Sequence, residues 1–460
     1  MMRMLTVIIE FLSFSFALWL GCYLLARNSA KAVLRLTGLG LVAYAFSLAG
    51  SLLSVHAPTN QLIALFSVVH QGLLFLPALC WVGATIHLLP ETTPLRTRLQ
   101  RAWLVGLVPL ALLGYISGIS TTIIPAGYPL LALILFLPLL GGLGLVAYTR
   151  RTARPARLFS LMLIVTLFLT LGTGLLLFPL NWLPRTWSVL AIGIDLELLG
   201  LAIAVLDAFD EGETLLPDML RSLVAAGFLA LLFGLQIVLL MLISTGLTFA
   251  TLLLLLTTTA TAILLQTFAS HVQTLLDRLA FAQLPHLRQA RAELRTQADA
   301  LPRINQELAL PDLDEAEFAR LTRRALSHYG DLPRLATSPL TNLPTIKARL
   351  MERNARDDPL ERAVELKALL AGSIARLKPR GPDDFGTSDE WRYYNALYFP
   401  YVVGLKPYSR RATHNDLDPT ARTALEWLRT SVPERTLYNW QNAAARLVAQ
   451  DLRGEMEPPA

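Results

Sequence analysis

Long apolar runs broken by short polar loops fill the first 270 residues, and an amphipathic pattern replaces them afterwards. A bilayer core about 30 Å thick is crossed by about 20 apolar helical residues. Runs of that kind occur at about 4–26, 32–55, 61–89, 102–120, 127–149, 158–179, 186–208, 219–243 and 248–270. They predict nine membrane spans, or eight if the short fourth run or the closely spaced seventh and eighth are read differently. Leu5 to Ala26 is long enough to span and is followed by further spans, so it reads as a first transmembrane helix and not as a cleaved leader.

Beyond Gln273 the charge density is that of a soluble domain, with about 27 Lys and Arg against about 25 Asp and Glu from residue 271 onward. The chain as a whole is 54% hydrophobic and only 16% charged, so the charge deficit sits in the apolar part. The fold class expected is all-α: a polytopic bundle followed by a soluble, mostly helical domain. The boundaries expected are 1–210 for a seven-helix bundle, 211–271 for two further spans, 272–310 for a juxtamembrane connector and 311–460 for the soluble domain. The formal net charge of +6 is not concentrated in the soluble part, and alone it does not argue for nucleic-acid binding.

Loop charge predicts orientation, because cytoplasmic loops carry the excess of Lys and Arg. Arg27, Lys31 and Arg35 follow the first span, Arg96, Arg98 and Arg101 the third, and Arg150, Arg151, Arg154 and Arg157 the fifth. The even-numbered loops hold a single basic residue, Arg185. The N-terminus is therefore expected outside, and nine spans deliver the C-terminal domain to the cytoplasm. The acidic loop 207–218 (DAFDEGETLLPD) counts little in this rule.

Few ionisable groups interrupt the spans. Each charged carboxylate at a helix centre costs roughly 2.5–3.5 kcal/mol to insert, so such groups usually face the bundle interior. Glu10, His70, Asp195, Glu197 and Gln236 are expected in the outer half, on four different helices. They are the candidates for a pocket taking a small-molecule signal or a proton; interhelical bonding that only holds the bundle together is the alternative. Asp195 and Glu197 lie about 200° apart around their helix, so they do not form a paired-carboxylate site. At this point the segment 1–210 resembles the seven-transmembrane sensor regions found ahead of bacterial histidine kinases, by its short loops and its charged exit at Leu206 to Glu213. The two extra spans depart from that pattern. A transporter remains a further alternative, although no internal repeat is visible.

The connector, Thr274 to Ala300, reads as a helix, bent at Pro285, with Arg288, Arg291 and Arg295 at helical spacing; its cationic face is either solvated or set against anionic lipid. The two cysteines, Cys22 and Cys80, both lie in apolar runs, and the soluble part has no zinc spacing, no phosphate-cradling glycine loop and no nucleophile motif. His328 resembles a phospho-acceptor, but Gly330 and Pro333 interrupt the helix. No enzymatic activity, cofactor or metal is therefore expected.

The last segments predict a helix from about Thr420 to Arg429, a turn at Ser431 and Val432, and a second helix opened by Pro433. Leu437, Trp440, Ala444 and Leu447 would form its apolar face. Arg435, Asn439, Asn442 and Arg446 fall at i, i+4, i+7 and i+11, and Arg and Asn are the side chains that read guanine and adenine edges. The stretches RRALSHYGDLPRLATSPL, WRYYNALYFPYVVGL and PERTLYNWQNAAARLVAQDL resemble bacterial helix-turn-helix proteins related to the fourth region of sigma factors. The resemblance implies DNA contacts from Arg435, Tyr438, Asn439 and Asn442, whereas the insertion KPYSRRATHNDLDPT departs from it. The function expected is a membrane-tethered sensor with a DNA-binding output; a scaffolding protein whose tail binds another protein is the alternative. Candidate partners are the lipid bilayer, DNA, a small-molecule signal and a second copy of the chain.

Overall fold

The computed structural model describes residues 2–89, 94–119, 127–150, 156–177, 185–211, 213–281, 286–287, 291–292, 294–295, 298, 303, 310–381, 384–408 and 417–456. Among these, every regular element is helical. Eight helices are long and apolar enough to cross a membrane, and the ninth apolar run, the fifth in chain order, supplies a shorter stretch, Ile134–Arg150. The chain divides into two units: residues 1–207 with 219–276, and residues 208–218 with 277–460. The short stretch 208–218 therefore belongs with the C-terminal residues, which the charge pattern alone does not reveal.

The first unit holds α1 (Met2–Asn28), α2 (Ala32–His56), α3 (Asn60–Leu88), α4 (Pro94–Arg101), α5 (Val108–Ile119), α6 (Gly127–Arg150), α7 (Ala156–Leu177), α8 (Arg185–Glu211), α9 (Leu216–Leu240), α10 (Phe249–Thr267) and the start of α11 (Ala269–Ala280). A π-helical turn, Ala102–Leu107, joins α4 to α5. The helices α2 and α8 are the most enclosed, 67% and 61% of their apolar windows being buried, against 17% for α9. Small residues allow this. A Cβ on Gly21 of α1 would sit 2.8 Å from the Gly38 carbonyl oxygen of α2, and one on Gly193 of α8 would overlap the Tyr44 hydroxyl. Close helix approach through small residues is the usual packing device in a membrane, where no hydrophobic force separates helix from lipid. Polar side chains lock the crossings: Trp19 Nε1 donates to Ser222 Oγ at 3.2 Å, and Trp81 Nε1 to Thr166 Oγ1 at 3.2 Å.

In the second unit the connector doubles back. Asp277, near the end of α11, pairs with Arg295 and, at 3.6 Å, with Arg291, whose guanidinium also lies 5.1 Å over the Phe281 ring. The expected turn residue Pro285 and Arg288 lie outside the described residues. The domain proper holds α12 (Glu315–Ser327), α13 (Leu332–Ala336), α14 (Pro344–Glu352), α15 (Pro359–Arg376), α16 (Arg392–Leu397), α17 (Pro419–Thr430) and α18 (Glu434–Gly454). Local chemistry sets their starts. Asp314, Asp358 and Asp418 each accept from first-turn amides, and proline opens α14, α15 and α17. The aromatic stretch after α16 ends where Gly404 takes φ +84°, a conformation that favours glycine.

Two apolar clusters fill the domain, and α18 serves both. Its later residues Ala444, Ala445, Val448, Ala449 and Leu452 join α12–α16, while Leu437 joins Ala424, Leu425 and Leu428 of α17. This corrects the expected apolar face. Leu447 is exposed, because the face that meets α12 runs through Ala445, Val448, Ala449 and Leu452. Trp440 is half-buried and stacks on Trp427, with ring centroids 6.1 Å apart.

Candidate functional site

In the bundle, Glu197 of α8 accepts from the Ser13 hydroxyl of α1 at 3.1 Å. Glu10, one turn earlier on α1, is buried, and both carboxylates lie within electrostatic reach of the Tyr44 hydroxyl, which itself donates to the Val189 carbonyl at 3.1 Å. The structure thus gathers Glu10 and Glu197 with Ser13 and Tyr44. Ser13 and Tyr44 were missed by reading for ionisable groups alone; hydroxyl side chains inside apolar runs are the signal that could have found them.

The other three candidates do not join this group. His70 packs on α2, its Nδ1 3.0 Å from Ser47 Oγ, and Ser47 donates to the His70 carbonyl at 2.9 Å. Asp195 is half-buried, on the opposite side of α8 from Glu197, and makes no hydrogen bond among the described residues. Gln236 is exposed on the outside of α9, since the buried positions of that helix are Ala226, Gly234 and Ile237. The four-helix polar layer is therefore two smaller polar contacts, α1–α2–α8 and α2–α3.

Among the described residues the end of α8 gathers a dense set of ion pairs; the sequence shows its acidic charge but not the partners that meet it. Asp207 is held in the first unit by Arg27, whose Nε lies 2.6 Å away, and by Lys31; the Arg27 and Asp207 side chains are 2% and 6% exposed. Four residues on, within the second unit, Glu211 receives Arg324 on both carboxylate oxygens, Nε at 2.6 Å, and His328 Nε2 at 2.9 Å. Arg320 donates through Nη1 to the carbonyl oxygens of Phe209 and Asp210, at 2.6 and 3.2 Å, and lies 4.4 Å over the Phe209 ring. A cation on the last carbonyls of a helix satisfies groups that have no partner inside the helix and complements the negative end of its dipole. Burial holds the Arg320 guanidinium below the ordinary arginine pKa, against the pull of Asp210 and Glu317. The loop continues the pattern, with the Asp218 carboxylate 3.4 Å from Arg303 Nε. The acidic stretch 207–218 is thus a row of anionic sockets, and His328, the residue that resembled a phospho-acceptor, occupies one of them.

On α18, Arg435, Asn439 and Arg446 are exposed along one stripe. Asn442 is half-buried, and Tyr438 is covered by Arg323 of α12, whose guanidinium lies 4.2 Å over its ring. No group able to hold a metal ion occurs among the described residues. No protein-family model, curated protein or solved structure matches the chain.

Proposed function

We propose that the chain is a membrane-tethered regulator, in which the bundle senses a small-molecule signal and the C-terminal domain, on the cytoplasmic side, binds DNA through α18. The observation that carries this reading is α8 itself. One continuous helix bears Glu197 in the bundle and ends in residues 208–211, which fold into the second unit under Arg320, Arg324 and His328. A change around Glu197 has a covalent and helical route to that domain. The exposed Arg435, Asn439 and Arg446, the tight turn between α17 and α18, and the resemblances to histidine-kinase sensor regions and sigma-factor region-four proteins support the two ends of the scheme. Counting the helix Gly127–Arg150 as a ninth span puts the termini on opposite faces.

The test is a mobility shift of genomic DNA fragments by the full chain in nanodiscs. Replacing Arg435 and Arg446 together weakens binding to every sequence, and Asn439→Ala relaxes preference at one position, by roughly 1–3 kcal/mol for a lost bidentate base contact. A chain that retards no fragment refutes the DNA output. Reporters fused at Thr59 and after Ala460 read outside and cytoplasm respectively, and two reporters on one side would overturn the orientation. Tyr438 and Asn442, partly used within the domain, favour the second reading, in which the tail binds a protein.

A further inference from the structure

Beside the exposed stripe of α18, a groove of about 520 Å³ runs between α12 and α18. Small residues, Ala319 and Ala445 among them, line it together with Arg320, Arg323, Asn442 and Arg446. The volume is that of a small-molecule site, not of a duplex footprint. One carboxylate, Glu315, borders the groove, and it is taken by Gln450 Nε2 at 2.8 Å. None of the three arginines has a salt bridge among the described residues: Arg320 is spent on backbone carbonyls, Arg323 on a tyrosine ring, and Arg446 is exposed. Elsewhere in the domain arginines pair with carboxylates, as Arg324, Arg353, Arg362 and Arg376 do.

Three guanidinium groups against one bordering carboxylate leave the concavity with an excess of positive charge, and with the Asn442 amide beside them they complement a compact polyanion. We infer that this groove binds a small ligand carrying two or more phosphate groups, with Arg323 and Arg446 on the phosphates and Asn442 donating between them. Guanidinium forks match phosphate oxygens two at a time, so a diphosphate uses the set better than a single phosphate does. Arg320, which also lines the groove, holds the end of α8, so the ligand sits one side chain away from the Phe209 and Asp210 carbonyls. The inference does not depend on the DNA reading.

The probe is inorganic pyrophosphate, titrated calorimetrically into the full chain in detergent, with orthophosphate alongside. The expected result is saturable binding, at least tenfold tighter for pyrophosphate. Arg446→Glu weakens it about tenfold or more, as does Arg323→Ala, while Arg422→Glu, an exposed charge on α17 outside the groove, leaves it unchanged. Because Arg446 is exposed, its variant decides the matter even if Arg323→Ala fails to fold. Absence of saturation at millimolar pyrophosphate overturns the assignment. So does equal weakening by Arg446→Glu and Arg422→Glu, which would mean diffuse charge attraction. Retardation of DNA by the same preparation without pyrophosphate is scored separately, so loss of the DNA reading and loss of this one are distinguishable.

Discussion

Replacing Asp207 by Asn strips the charge from the most enclosed ion pair among the described residues at almost no change in volume. The Arg27 side chain is 2% exposed and has Tyr23 Oη, at 3.4 Å, as a further partner, so it cannot turn to water without moving α1. Removing one member of a buried pair costs about 3–5 kcal/mol, because the other charge is left desolvated. Lys31 is 28% exposed and can retreat, which keeps the estimate at that range. For a body of roughly 250 residues, about 2 °C of melting temperature is lost per kcal/mol, giving a fall of about 6–10 °C. The assay is thermal unfolding of the full chain in detergent, followed by tryptophan fluorescence. The double variant Arg27→Met with Asp207→Leu should recover most of the loss, since an apolar pair of similar size is often neutral or better. A fall under about 2 °C for Asp207→Asn, or a double variant less stable than the single, would show that the pair is solvated and refute the reasoning.

Further outcomes follow from the packing. Gly193→Ala should destabilise the bundle by about 1–3 kcal/mol, because its methyl overlaps the Tyr44 hydroxyl; Gly193→Ala combined with Tyr44→Leu should regain part of this in the same melting assay. Trp440→Ala should cost less than a full core deletion, about 1–3 kcal/mol, since the ring is half-buried and chiefly stacks on Trp427. Burial pushes the Tyr394 hydroxyl up to about 12 from an ordinary value of 10. Its protonated form is therefore favoured in the fold, and the stability this contributes is complete below pH 10 and is lost as pH rises towards 12. Tyr394→Phe should flatten the pH dependence of unfolding across that window, and an unchanged profile would count against the assignment.

What could be read from the residues was what depends on near neighbours. The apolar runs mark the helices α1 to α3 and α5 to α10 by composition alone, and Asp314, Asp358 and Asp418 announce the starts of α12, α15 and α17 because a capping oxygen acts within three residues. Facing was harder. Gln236 lies on the outside of α9, and nothing in a continuous apolar run tells one side of a helix from another. Leu447 and Val448 are both apolar, and only the position of α12 decides that Val448 is the one buried. The contacts of Glu211 with Arg324 and His328 bridge more than 110 residues of sequence, and no periodicity carries such pairing. The one available hint was opposite charge in two short stretches, 207–218 and RLTRRALSH.

Asp207 and Glu211 stand four residues apart, hence about 6 Å along α8 and only about 40° around it. Each is held by two basic side chains, Asp207 by Arg27 and Lys31 and Glu211 by Arg324 and His328. The last turn of a helix is where its backbone bonds run out and where it ordinarily frays. Here fraying also has to break ion pairs, so the amide hydrogens of that final turn should exchange slowly for a helix end.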